Sequence, residues 1–471
     1  MSTTTRRSFL KTAVGGATAL PFTMSAAMGT PGSARPNVLY LLPDQWRSSA
    51  FSHAEFGDPF VQTPNLDRFA AEGARWRKAY ATNPECTPER ATLMTGRYPH
   101  QTGVITNHIM MPPGNRCLAD TFREAGYATH YIGKTHYDGP NLVPGKTHPV
   151  PKGWRRRGFT TYEGFNTAHF YFDTPTFDND DNPIGVTGDY EPEFQTDLAI
   201  DFMTSNRHQP WFLFLSWGPP HPPYHEVPKA FQRFTISEAD RRPNVPAGNP
   251  SPADVENYYA QCEALDVQFG RLMDSLWELG LDRNTLVVFT SDHGDFLKSH
   301  GRNGKWRPQE ESMHVPLFMR WPERIQPGQT PDTMVGGVDL MPTILSMCGL
   351  PTPRTCTGED KSWAVLGGAS QTVDSLYCQG IMADKGAAWR AVVTDQYKLV
   401  VDNSSSLDIS SVTMLYDLQA DPYELTNLAG DAGFAGIKQQ LFDRLVQWRN
   451  ETGDTFPVIP PQANSMYSWV R

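Results

Sequence analysis

Four apolar runs in this chain each break off at a cluster of polar residues, and that repeated pattern does most to limit the fold. Asn37-Val38-Leu39-Tyr40-Leu41-Leu42 ends at Pro43-Asp44-Gln45, and Tyr127 to Ile132 leads into Gly133-Lys134-Thr135-His136. Trp211 to Ser216 leads into Gly218-Pro219-Pro220-His221, and Leu286 to Thr290 into Ser291-Asp292-His293-Gly294. Short apolar runs without alternation suit strands covered on both faces. Helical patterns lie between them: Thr63-Pro64 opens a helix that stops at Gly73, and a long one runs from Ala253 to Leu279, ending at Gly280. This alternation predicts an α/β fold, a large mostly parallel sheet flanked by helices. Ligands of such a sheet gather at the carboxyl ends of its strands, where all four polar clusters fall.

The texture changes further along. Ala391 to Thr394 and Tyr397 to Val401 read as a hairpin, Met414 to Leu418 as another strand, and Ile437, Leu441, Leu445 and Trp448 mark one face of a helix. We therefore expect a main domain over residues 35–359 and a smaller C-terminal α+β subdomain over 360–471. Between Tyr137 and Glu193 the chain is rich in Pro, Gly, Asp and aromatics with weak periodicity, which predicts a long ordered excursion over the site.

With 471 residues, 39% hydrophobic, 40 Pro and 38 Gly, the chain has the make-up of a loop-rich globular protein. A formal charge of -10 argues against a nucleic-acid partner, so any anionic substrate needs a local positive pocket. Arg6-Arg7-Ser8-Phe9-Leu10-Lys11, then an apolar stretch to Phe22 and small residues at Ser25-Ala26-Ala27, has the layout of a twin-arginine export signal over residues 1–27. The expected mature chain is periplasmic or secreted. That stretch is too short and too rich in Gly and Ala to span a bilayer, and no later segment has the uninterrupted apolar length. Of the six cysteines, Cys262 lies in a helical pattern and reads as core, while Cys348, Cys356 and Cys378 have the material for one disulfide whose pairing the sequence leaves open.

Cys86 heads the run Cys86-Thr87-Pro88-Glu89-Arg90-Ala91-Thr92-Leu93-Met94-Thr95-Gly96-Arg97. Read singly, the thiol is a core residue and Arg90 a surface charge. The whole run resembles the signature of type I sulfatases, a branch of the alkaline-phosphatase-like superfamily. The resemblance implies that Cys86 is converted by a formylglycine-generating enzyme to an aldehyde, whose hydrate attacks sulfur with one hydroxyl and releases sulfate through the other.

Asp44-Gln45 and Asp292-His293 offer oxygen and nitrogen donors from two strand ends far apart in sequence, and a hard divalent cation binds carboxylate and amide oxygens in this way. Taken alone, Asp-His-Gly after a strand is more often a turn. In the family, these positions hold the metal together with residue 86. The usual ion there is Ca2+, while the neutral Gln45 and His293 leave Mn2+ or Mg2+ open. The run from Gly126 to His136 resembles the second family signature, with Thr135 where Trp or Met is common. The resemblance implies that Lys134 and Lys305 hold sulfate oxygens, Arg90 stabilises the ionised diol and Asp292 orients or deprotonates it. It also implies that His136 takes a proton when sulfate leaves, and that His221 or Lys305 protonates the departing alcohol. Lys298 and Arg302 compete with Lys305 for this role by position. Asn107 is either a substrate contact or a turn residue. With a divalent ion, Arg90, Lys134 and Lys305 set against Asp44 and Asp292, the pocket carries about +3, which focuses an anion.

Charge alone does not separate sulfate from phosphate. Phosphonate monoester and phosphodiester hydrolases of the same superfamily tend to carry Tyr and Thr where this chain has Lys134 and His136, which tips the expectation to a sulfated small molecule or glycan as substrate. An inactive protein that binds sulfated glycans is a third reading, disfavoured because no catalytic position is missing. Trp154-Arg155-Arg156-Arg157 with Phe170, Tyr171 and Phe172 is either a sugar cleft or a basic turn beside ordinary packing residues.

Overall fold

The structure, a computed structural model, describes residues 35–457 except 53–56, 59–60, 142, 144–145, 185–187, 238–239, 249–251, 370, 383–386 and 403–406. The export-signal reading of residues 1–27 lies outside the described residues. In chain order the strands are β1 (Asn37–Leu41), β2 (Ala74–Arg75), β3 (Ala79–Tyr80), β4 (Ala128–Lys134), β5 (Thr161–Phe165), β6 (Trp211–Ser216), β7 (Thr285–Thr290), β8 (Leu317–Arg320) and β9 (Val335–Gly336). They continue with β10 (Leu376–Met382), β11 (Ala387–Val393), β12 (Tyr397–Asp402) and β13 (Val412–Asp417).

Seven of them form one sheet in the order β2-β8-β7-β1-β6-β4-β5. The five central and right-hand strands run parallel, and β8 and β2 add an antiparallel edge. Alternate residues of β1 explain its unbroken apolar sequence: Val38 and Tyr40 enter one core, Leu39 and Leu41 the other, and all are fully buried. On the first face lie the helices Cys86–Thr95, Leu118–Glu124 and Leu340–Met347, through Leu93, Phe122 and Ile344. On the second lie Pro64–Glu72, Glu191–Ser205 and Pro252–Glu278, through Phe69, Met203 and Leu265. Cys262 is fully buried there, as its helical pattern predicted.

Strands β10 to β13 form a four-stranded antiparallel sheet, and the helix Ala435–Thr452 lays Leu441, Phe442 and Leu445 on it. The excursion from Tyr137 to Glu193 is more regular than its sequence suggests, since it contains β5. As an edge strand β5 keeps Thr161 exposed and carries Glu163, so it lacks the apolar run of its inner neighbours. All six cysteines carry free thiols, so the disulfide considered for Cys348, Cys356 and Cys378 is not formed. Among the described residues, no helix is long and apolar enough to cross a membrane.

Candidate active site

Four strand ends and one helix start deliver the site. Beyond β1 come Asp44 and Gln45, at the end of β4 Lys134, beyond β6 His221, and beyond β7 Asp292 and His293. Cys86 is the first residue of the helix Cys86–Thr95, buried to 1% exposure. Its sulfur lies 3.0 Å from Lys305 Nζ, 3.2 Å from His293 Nε2 and 3.9 Å from Asp44 Oδ1. Burial and Asp44 push the thiol up, but Lys305, Lys134 and His293 outweigh them and bring it down to about 5.

Arg90 sits one helical turn after Cys86 and joins the two strand ends. Its Nε donates to Asp292 Oδ2 (2.9 Å), Nη2 to Asp44 Oδ2 (2.9 Å), and Nη1 to the Lys134 carbonyl (3.0 Å) and Ser216 Oγ (2.7 Å). Lys134 Nζ donates to Asp44 Oδ2 at 2.6 Å, and Lys305 Nζ to Gln45 Oε1 at 2.8 Å. Burial would lift Asp44, yet Lys134, His221, Arg90 and Lys305 hold it well below the usual carboxylate range. Asp292 moves the other way, lifted by burial and by Asp44 across the site.

Ligand atoms of Asp44, Cys86, Asp292 and His293 all lie within 4.8 Å of one another, and all four residues are buried. Two buried carboxylates, one of them lifted by the other, with a His nitrogen beside them, are a donor set that a divalent ion satisfies. His293 Nδ1 donates to the Gly294 carbonyl at 3.0 Å, which assigns its bare Nε2 to the site. Asp295 accepts from Gln45 Nε2 and so leaves the Gln45 amide oxygen to the site. These residues fit one metal ion.

His136 adopts a positive φ of 54° and lies beside His108, with ring centroids 5.2 Å apart. Neither of its ring nitrogens has a hydrogen-bond partner among the described residues. Burial, Lys134 and His108 keep its pKa well below the usual value. His221 is half-buried; its Nδ1 donates to the Pro222 carbonyl at 2.7 Å, and burial, His169 and Lys305 keep its pKa low as well.

The structure thus brings together Asp44, Gln45, Cys86, Arg90, Lys134, Asp292, His293 and Lys305 by direct contact. Lys305 meets the sulfur, whereas Lys298 pairs with Asp254 at 3.7 Å. Asn107 stands beside the helix start: its Oδ1 accepts from the Thr87 N–H at 2.9 Å, capping the helix that begins at Cys86. The basic turn is tied inward. Arg155 pairs with Asp138 and Arg156 with Asp181, Arg157 donates to the Met111 carbonyl, and only Trp154 and Phe170 expose half their surface. Sequence reasoning passed over Ser216, Asp295 and His169. Ser216 closes an apolar run and Asp295 stands three places after Asp292, both legible signals; His169 has none.

A sheet whose parallel strand ends hold an acid-rich metal set around a helix-borne nucleophile position defines an alkaline-phosphatase-like hydrolase. A sulfatase family model matches residues 36–350, and a model of the N-sulphoglucosamine sulphohydrolase C-terminal region matches residues 299–451. The chain belongs to the sulfatase family and is a sulfuric ester hydrolase. It is 30% identical over 437 residues to an ulvan-active sulfatase of Formosa agariphila, covering 90% of this chain and 82% of that one. To an endo-4-O-sulfatase of Bacteroides thetaiotaomicron it is 28% identical over 478 residues, covering 89% and 92%. The solved structure of yidJ from Bacteroides fragilis, a protein assigned as a sulfatase, superposes with a TM-score of 0.83 at 29% identity, covering 91% of this chain and 98% of that one.

Proposed function

We propose that the chain is an exported carbohydrate sulfatase whose residue 86 is matured from cysteine to formylglycine and works beside one divalent ion. The observation that carries this reading is the place of the Cys86 side chain, where the Lys305 ammonium, the His293 ring and the Asp44 carboxylate meet. Asp44, Gln45, Asp292 and His293 would hold the ion, Ca2+ by the family's habit, with Mn2+ and Mg2+ admitted by the donor set. When bound, the ion and the hydrated aldehyde together supply an ionised oxygen nucleophile and a second hydroxyl through which sulfate departs.

The remaining chemistry belongs to the chain's own side chains. Arg90 keeps Asp44 and Asp292 at a fixed separation and adds positive charge beside residue 86. Lys134 and Lys305 hold the sulfate oxygens, which compensates the charge that builds up as the ester breaks. His221 hands a proton to the departing alcohol, and His136, with both nitrogens open, takes one when sulfate is released. A glycan substrate is supported by relatives named for ulvan and for endo-4-O desulfation. The catalytic groups all fall within residues 35–359, with 360–471 as the supporting subdomain, and the leader at 1–27 would direct export through the twin-arginine route.

The test is expression with a formylglycine-generating enzyme, intact-mass analysis of the peptide holding residue 86, and sulfate release from sulfated oligosaccharides. The expected result is the mass of an aldehyde in place of the thiol, and turnover that a chelator abolishes and Ca2+ restores. An unmodified thiol with glycan binding and no turnover would favour a binding protein, and faster cleavage of an aryl phosphonate than of an aryl sulfate would favour a phosphonate hydrolase.

A further inference from the structure

We propose that His169 is a positioning residue that holds the His221 imidazole at the angle required to protonate the departing alcohol; the proposal rests on the sulfatase reading above. His169 lies four residues beyond β5, the strand that pairs with β4 in the register Lys134 with Phe165, so the excursion places it at the same edge of the sheet as the site. Its ring stacks on that of His221 with centroids 4.0 Å apart and planes 13° apart. Two residues on, the fully buried Tyr171 donates its hydroxyl to the His221 carbonyl at 2.5 Å, with the Gly218 carbonyl at 3.2 Å. Residues 169–171 therefore grip His221 twice, at the ring and at the backbone.

The geometry leaves His221 little other support. Its Nδ1 is committed to the Pro222 carbonyl, a bond that fixes one edge of the ring but leaves the tilt about that edge free. The face of His169 removes the tilt. His169 itself has a buried Nδ1 without a partner among the described residues, so a stacked face and not a hydrogen bond sets how the two rings meet. As the S–O bond of the ester breaks, its electron pair stays on the sugar oxygen, and the new S–O bond forms to the oxygen on residue 86. That sugar oxygen takes the proton that His221 Nε2 carries once the charge of the bound sulfate has raised this imidazole, and the hydroxyl proton of residue 86 passes to Asp292. Proton transfer succeeds only over hydrogen-bond distance and angle, so a tilted ring costs rate at this step and no other.

The experiment compares His169→Ala, His169→Phe and His169→Asn with the wild type on two esters, a sulfated oligosaccharide and 4-nitrophenyl sulfate. A sugar alkoxide needs the proton, whereas nitrophenolate leaves without it. His169→Ala is expected to lower kcat on the saccharide about 100-fold with KM within about 3-fold, and to lower kcat on the aryl ester by less than about 3-fold. His169→Phe retains the stacked face and is expected to restore the saccharide rate to within about 3-fold of wild type. Equal losses on the two esters, or rescue by Asn and not by Phe, would overturn the proposal, the latter because a hydrogen bond to substrate would then be the operative property. Should His169→Ala fail to fold, the contrast between Phe and Asn decides alone. A wild-type enzyme that releases no sulfate from either ester would overturn the sulfatase reading itself, and the role of His169 with it.

Discussion

Arg90 shows how one side chain can set the spacing of a site. Its guanidinium is 2% exposed and donates to two carboxylates on different strand ends, a carbonyl on a third and a hydroxyl on a fourth. Lysine has the charge but a single point donor without the planar fork, so Arg90→Lys leaves buried acceptors unpaired. We expect it to lower stability by about 3 kcal/mol in denaturant titration and kcat/KM by about 1000-fold. Glu191 offers a separate reading of burial. Its Oε1 accepts from the Gly218 N–H at 3.1 Å, yet burial lifts its pKa from 4.5 to about 7. Because the folded protein holds this proton when the unfolded chain has lost it, folded stability falls as pH rises from about 4.5 to about 7. Glu191→Gln removes that dependence, worth at most about 3 kcal/mol, and its melting temperature is expected to drop less between pH 5 and pH 8 than that of the wild type.

At the scale of elements, the parallel strands deliver chemistry only because each ends in the right layer. Gly133, next to last in β4, has φ of +93°, and a Cβ there would stand 2.1 Å from the Ser216 carbonyl oxygen on β6. Both the conformation and the closeness require glycine, and both bear on Lys134 one place later. Gly133→Ala is expected to cost about 3 kcal/mol in chemical denaturation and to lower kcat/KM for the sulfate ester, since it displaces the Lys134 ammonium that holds the sulfate oxygens as the ester breaks. The helix Cys86–Thr95 matters in a different way. Every one of its residues is buried, Asn107 satisfies its Thr87 N–H, and Glu85 precedes it with a carboxyl that burial lifts to about 7. Such a helix is a rigid mount for residue 86.

Across the whole molecule, the C-terminal sheet and the main fold meet through buried charge as well as apolar surface. Lys398 on β12 is fully buried between Glu310 at 2.8 Å and Glu424 at 2.7 Å. Glu310 belongs to the short helix Glu310–Met313, in which the next residue, Glu311, pairs with His300 and Arg242. Removing the ammonium strands two carboxylates in a low-dielectric contact. Lys398→Met is expected to lower the stability of the whole molecule by about 4 kcal/mol, read from the shift in denaturation midpoint, with the metal-loaded and chelator-treated protein shifted alike.

The sequence by itself determined the class of fold and which polar clusters share one rim of its sheet. The apolar runs of β1, β4, β6 and β7 have the pattern of two-sided strands, and a parallel sheet gathers their polar endings, with Asp44, Lys134, His221 and Asp292 among them, at one rim. Helix caps at Pro64 and Gly73 and the face of the C-terminal helix were legible for the same reason, that local chemistry and periodicity agree. The tertiary structure alone decided what depends on approach between remote segments. It placed His169 against His221 and chose Lys305 over Lys298. It turned Asn107 to the Thr87 backbone, made an edge strand of β5 and tied the arginines of 155–157 inward. Contacts of that kind leave no period in the chain, because distance in space is set by packing and carries no trace in the order of the residues.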